Sequence, residues 1–301
     1  MTGRQIGVVA GLLLAGIGCM KADRIVAVQP QVWRPFSTPT VVTGLVADTT
    51  DVHRACLTSD ELDIYLACSR LGEATFHIWT STRGAKDAPW NTATLVNEIA
   101  GSGDDIDPDI SPDGLTLYFA SDRSGAGYRL YVSQRTAKDL PWGPVSEITE
   151  LTSSSMDRYG PSVDPGGRFM AIGSAQRNGN DYRLYSASRT TLLGTWENVL
   201  DLSGINSGME DNDPALFEAS LSLVWSSRAP SNGASWDLVE VGRSDLSMPF
   251  SAASMTVLDP LNTSYAERYP WVSQDGTHIL FNREPVGSPG VLHEAWRTVS
   301  P

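Results

Sequence analysis

Residues 105–123 read Asp105-Ile106-Asp107-Pro108-Asp109-Ile110-Ser111-Pro112-Asp113-Gly114-Leu115-Thr116-Leu117-Tyr118-Phe119-Ala120-Ser121-Asp122-Arg123. A strand with a proline near its start runs into a tight turn, where Asp113-Gly114 supplies the positive φ that a short hairpin needs. A second strand, apolar almost throughout, climbs away and ends in a small-polar-plus-Arg break. Continuous apolar residues of this kind predict burial on both faces. A third strand, Tyr128-Arg129-Leu130-Tyr131, alternates apolar and polar side chains as a half-exposed strand does. Pro141-Trp142 then introduces a fourth, Val145-Ser146-Glu147-Ile148.

The same phrase returns along the whole chain. The turns fall at Ser59-Asp60-Glu61, Pro112-Asp113-Gly114, Pro165-Gly166-Gly167, Glu218-Ala219-Ser220 and Gln274-Asp275-Gly276, with steps of 53, 53, 53 and 56 residues. The aromatic marker recurs as Trp90, Trp142, Trp196 and Phe250. Four strands per unit at this period predict an all-β fold, a β-propeller of five four-stranded blades. The fifth unit has no fourth strand after its third. Pro35-Phe36, followed by Thr40-Val41-Val42-Thr43-Gly44-Leu45, looks like a fourth strand with no blade before it. The spacing therefore predicts that an N-terminal strand completes the last blade and closes the ring, which leaves no open edge there. The propeller is expected over 35–301, behind a tether at 20–34 and a leader at 1–19.

That leader carries Arg4, an apolar run from Ile6 to Ile17, and Cys19, the pattern of an export signal too short for a comfortable membrane span. Ala15-Gly16-Ile17-Gly18-Cys19 resembles the signal of bacterial lipoproteins. That resemblance implies cleavage before Cys19, lipid on Cys19 and a stable membrane anchor; an ordinary cleaved signal is the alternative. Cys56 and Cys68 flank the first turn on adjacent strands. They could form a cross-strand disulfide in an oxidising compartment, or serve as two small buried side chains.

The units around Asp105–Gly114, Tyr118–Arg123 and Leu130-Tyr131-Val132 resemble the WD40-like repeat of TolB-type β-propellers. The likeness is strong in the second unit, good in the third and fifth, and degenerate where the turn lacks glycine. It implies an envelope protein that binds other proteins.

The net charge is −13, from 35 acidic and 22 basic residues. Such a surface repels phosphate backbones and excludes nucleic acid as a partner class, while it favours cations and basic protein surfaces. Two charged groups are expected to converge at one end of a propeller channel. One is acidic: Asp104, Asp105, Asp107, Asp157, Glu210, Asp211, Asp213 and Glu267. The other is basic: Arg70, Arg123, Arg177, Arg228 and Arg283. They could pair with one another or cap strand starts. They could instead hold a small polar ligand, with Asp105, Asp107, Asp211, Asp213, Glu267, Arg123 and Arg228 as the candidates, or a hard cation such as Ca²⁺. No cofactor is otherwise implied. Five-bladed propellers also resemble certain glycosidases, in which case Asp107 and Asp213 would serve as channel carboxylates. The four histidines read as packing, and most tryptophans as blade core, although Trp271 could narrow the channel. No G-x-S-x-G, phosphate-cradling or H-E-x-x-H motif is present.

Overall fold

The computed structural model describes residues 33–45, 49–70, 73–177, 179, 181–231 and 233–300. The leader and Cys19 lie outside the described residues. The described chain is all-β, five antiparallel sheets of four strands each. Blade 1 holds β2 (Thr49–Leu57), β3 (Asp63–Arg70), β4 (His77–Thr82) and β5 (Thr94–Leu95). Blade 2 holds β6 (Asp105–Ile110), β7 (Thr116–Ser121), β8 (Arg129–Gln134) and β9 (Ser146–Glu147). Blade 3 comprises β10 (Met156–Val163), β11 (Phe169–Gln176), β12 (Arg183–Ser188) and β13 (Glu197–Asp201), and blade 4 comprises β14 (Asp211–Phe217), β15 (Ser222–Ser227), β16 (Asp237–Gly242) and β17 (Thr256–Val257). Blade 5 contributes β18 (Ala266–Val272), β19 (His278–Glu284) and β20 (Val291–Trp296), and its fourth strand is β1 (Thr40–Val41).

The closure runs as the spacing predicts. Thr40 pairs with Glu294 and Val41 with His293, Val42 donates to the Leu292 carbonyl, and Trp33 bridges Val299. The second strands are buried on both faces, Ser222–Ser227 throughout its length. They supply the side chains that pack one blade against the next, such as Phe119, Ile172, Trp225 and Phe281.

Cys56 and Cys68 are free thiols. Cys56 pairs with Tyr65 and Cys68 with Val52, so the register holds them several residues apart along the hairpin, and no disulfide joins them. Both thiols are buried, which leaves the packing alternative standing.

All five turns between first and second strands share one backbone feature. Their third residues, Glu61, Gly114, Gly167, Ser220 and Gly276, all have positive φ, glycine or not. Each of these residues accepts a hydrogen bond on its carbonyl from an Arg Nε, donated by Arg83, Arg135, Arg189, Arg243 and Arg297 respectively. The same guanidinium lies 4.2–4.5 Å above the aromatic marker, which is Trp90, Trp142, Trp196, Phe250 or Phe36. The marker is thus the platform of a cation–π clamp that ties the end of the third strand to the turn.

Candidate functional site: the channel mouth and its buried carboxylates

Every inner strand carries a β-bulge. The register slips between Ile106 and Asp109, Tyr159 and Ser162, Asn212 and Ala215, Arg268 and Trp271, and Val52 and Ala55. Four of the bulges are a positive-φ residue followed by proline: Asp107-Pro108, Gly160-Pro161, Asp213-Pro214 and Tyr269-Pro270. Left-handed backbone at a non-glycine residue costs about 1–2 kcal/mol. Asp107, Asp213 and Tyr269 accept that cost, and a bulge re-aims the side chain it carries. Gly160 has no such latitude, because a Cβ there would meet Asp213 Cα and Pro214 Cδ at 3.3 Å. In blade 1 the corresponding pair is His53-Arg54, so an arginine stands where the other blades have proline.

The bulge sorts the acidic residues of the sequence into two sets. Asp105 accepts from Arg123 at 2.5 Å and from the Gly101 N–H at 2.7 Å, with His77 Nδ1 at 3.4 Å. Asp157 is held by Arg177, Glu210 by Arg228, and Glu267 by Arg283 at 2.7 Å. Asp211 accepts from the Ser207 N–H and hydroxyl and from Trp225 Nε1. Glu267 repeats that arrangement on Thr263. Arg123 also reaches the Ile99 carbonyl, and Arg228 that of Gly233. These carboxylates and guanidiniums satisfy one another and fasten the connections into blades 2 to 5, the pairing alternative of the sequence reading.

Asp107 and Asp213 belong to the second set. They are 1% and 0% exposed and sit at the bulges of the inner strands. Asp107 Oδ2 accepts the Gly160 N–H at 2.9 Å, while its Oδ1 and both oxygens of Asp213 have no hydrogen-bond partner. Arg268 Nε lies 3.5 Å from Asp213. Asp109, two residues on, accepts the Val163 N–H, and Arg54 approaches it at 4.0 Å. Arg54 itself is fully buried, and none of its three nitrogens makes a hydrogen bond. Burial pushes the Asp107 carboxyl up to about 6, with the Asp213 charge adding to the shift. Burial likewise raises Asp109 to about 6, against the pull of Arg54. Asp213 is raised by burial too, offset by Arg268 and Arg54.

Over these groups the mouth closes in an unbroken ring of contacts. Tyr128 touches Tyr159, Tyr159 touches Tyr182 and Tyr182 meets Trp236 edge-on, at centroid distances of 5.0, 5.9 and 6.1 Å. Arg268 lies over both Trp236 and Tyr269, and Tyr269 stacks on His53, which touches Phe76. Asp104 completes the circuit, accepting the Phe76 N–H on one oxygen and the Tyr128 hydroxyl on the other. Burial lowers His53 to about 4, with Arg268 adding to the effect, so it stays neutral in the ring near neutral pH. Such a surface offers π faces and a fixed cation to an incoming group. The sequence reading did not single out this ring. Its signal was the aromatic opening the third strand of the first four blades, Phe76, Tyr128, Tyr182 and Trp236. Among the described residues no three His, Cys, Asp or Glu side chains cluster to hold a metal ion. No helix among them is long and apolar enough to cross a membrane.

No protein-family model matches the chain, and no curated protein does either. Solved structures do. The putative TolB from Agrobacterium tumefaciens aligns at 12% identity over 83% of this chain and 90% of that one, with a TM-score of 0.50. TolB from Acinetobacter baumannii aligns at 14% identity and a TM-score of 0.50 over 82% of this chain, which spans only 55% of the length of that protein. An endo-arabinase from Bacteroides thetaiotaomicron aligns at 14% identity over 89% of this chain and 99% of that one, with a TM-score of 0.58. Identities this low speak to architecture alone, and the architecture these structures share with the chain is the β-propeller, built here from five blades.

Proposed function

We propose that this chain is a non-catalytic binding module of the cell envelope, engaging a protein partner through the aromatic mouth of its channel. The observation that carries this reading is the ring from Tyr128 round to Phe76, closed above two carboxylates that are themselves sealed. A hydrolytic pair must touch the leaving oxygen and an attacking water. A rigid surface of Tyr, Trp and Arg is instead the composition that anchors protein interfaces. The charge of −13 favours a partner with a basic face. The export pattern at 1–19 and the TolB-like repeat support the envelope as the place. The immobilised protein, exposed to envelope extract, is expected to retain a discrete protein that the Tyr182→Ala/Trp236→Ala variant loses and Leu193→Ala keeps. Equal retention by all three would contradict the proposal.

A second reading, a hydrolase of the glycosidase type, draws on one feature. Asp107 and Asp213 sit at equivalent bulges, and the charge of Asp213 helps to raise the proton affinity of Asp107, as in acid–base pairs. Reducing-sugar release from arabinan, abolished in both Asp107→Asn and Asp213→Asn, would establish it over the binding reading.

A further inference from the structure

The opposite end of the channel, framed by the turns between first and second strands, holds a cavity that the mouth does not involve. Its volume is about 190 Å³. An apolar cavity of about 150 Å³ admits benzene, so this one has room for roughly six heavy atoms. Leu57, Ile110, Val163, Leu216 and Trp271 give it an apolar wall. Two polar groups on its lining are incompletely used. Asp109, with a side chain 9% exposed, accepts the Val163 N–H on Oδ2 but has only Arg54, at 4.0 Å, beside Oδ1. Gln274 Oε1 is buried and has no hydrogen-bond partner. The other charged lining groups, Glu61, Lys86 and Asp275, are engaged: Glu61 and Lys86 with each other, Glu61 also by Arg83 and His278, and Asp275 by Ser273 and Thr277.

The charges of the channel core do not balance. Asp107, Asp109 and Asp213 face Arg54 and Arg268, which leaves one carboxylate more than there are cations. A buried charge without a counter-charge is costly. Of the three carboxylates, only Asp109 borders the cavity. An anionic ligand would add to the imbalance, and a neutral apolar one would leave it as it is.

We propose that this cavity binds a primary alkylammonium group, which donates to Asp109 Oδ1 and Gln274 Oε1 while its alkyl stem lies along the apolar wall. An ammonium is a compact point charge with rotatable donors on a flexible stem, and so suits two acceptors that share a cavity with an apolar wall. Either a free amine or the lysine side chain of a bound protein carries this chemistry.

Calorimetry near neutral pH tests the proposal with n-butylammonium, Nα-acetyl-lysine amide and n-butanol. Both ammonium compounds are expected to bind, with butanol about tenfold weaker or more. Binding of butylammonium alone assigns the site to free amines, and binding of both extends it to a lysine side chain. Asp109→Asn should weaken binding about 10- to 100-fold. Gln274→Ala, at a partly exposed turn residue, should weaken it less and serves if the first variant does not fold. No binding of either ammonium up to about 10 mM, butanol equal to butylammonium, or variants that bind like the parent would overturn the proposal.

Discussion

Arg54 approaches Asp109 to 4.0 Å inside the channel, from the position that the other four inner strands give to proline. A ring of five prolines would leave Asp107, Asp109 and Asp213 facing Arg268 alone. Blade 1 therefore gives up the motif to supply a cation to the core. Arg54→Met keeps the bulk and removes the charge. It should cost about 3–5 kcal/mol near neutral pH, the range for an orphaned buried ion pair. The urea unfolding midpoint measures this, and the loss should shrink at pH 5, where Asp107 and Asp109 take up protons. An equal loss at both values would contradict the role.

The proton affinities of these carboxyls also predict a slope. Asp107 titrates at about 6 when folded, against 3.8 for an ordinary Asp. Between those values the folded chain holds more protons than the unfolded one. The contribution of Asp107 to stability is therefore present at the acid end and is lost as pH rises from about 4 to about 6, by at most about 3 kcal/mol. Asp107→Asn still accepts the Gly160 N–H and should lose that slope. Denaturant titrations of both proteins across this range, compared by difference, check the sign. A parent curve that gains stability relative to the variant as pH rises would contradict it.

Ser220 holds φ at 69° in the fourth turn, where three of the other blades use glycine, and its buried hydroxyl has no partner. Ser220→Gly removes the strain and the orphaned group together. It should stabilise the fold by about 1 kcal/mol, read as a higher Tm, since its carbonyl still accepts from Arg243.

Cys56 and Cys68 are buried thiols whose ionisation burial disfavours, Cys68 being pushed up to about 12. Neither should react with iodoacetamide in the folded protein, and both should react after unfolding. Mass spectrometry of the alkylated peptides reads the outcome, and a Cys56–Cys68 disulfide peptide would contradict the register.

The fold was legible because one hairpin phrase recurs at nearly constant steps and because the strand at Thr40-Val41 fits the gap in the last blade. The clamps were legible in principle. Arg83, Arg135, Arg189, Arg243 and Arg297 keep the same spacing as the aromatic markers, but each lies at a strand end where an Arg draws no notice. The site was harder to see. Asp105, Asp107 and Asp109 share one face in any regular strand, since side chains alternate with period two. The bulge at Asp107-Pro108 breaks that phase and sends Asp105 to Arg123 and Asp107 to the Gly160 N–H. Arg54 was hidden for the opposite reason, because it departs from the motif that identified its neighbours.

The central claim is that the aromatic mouth is where a protein partner seats. A photo-crosslinking residue, p-benzoylphenylalanine, placed at Tyr182 in the native cell tests it most directly. A matched probe at Leu193, 95% exposed beside the turns of the opposite face, is the control. The account predicts a discrete protein adduct from position 182 and none from 193. No adduct from the mouth, or the same adduct from both faces, would contradict it.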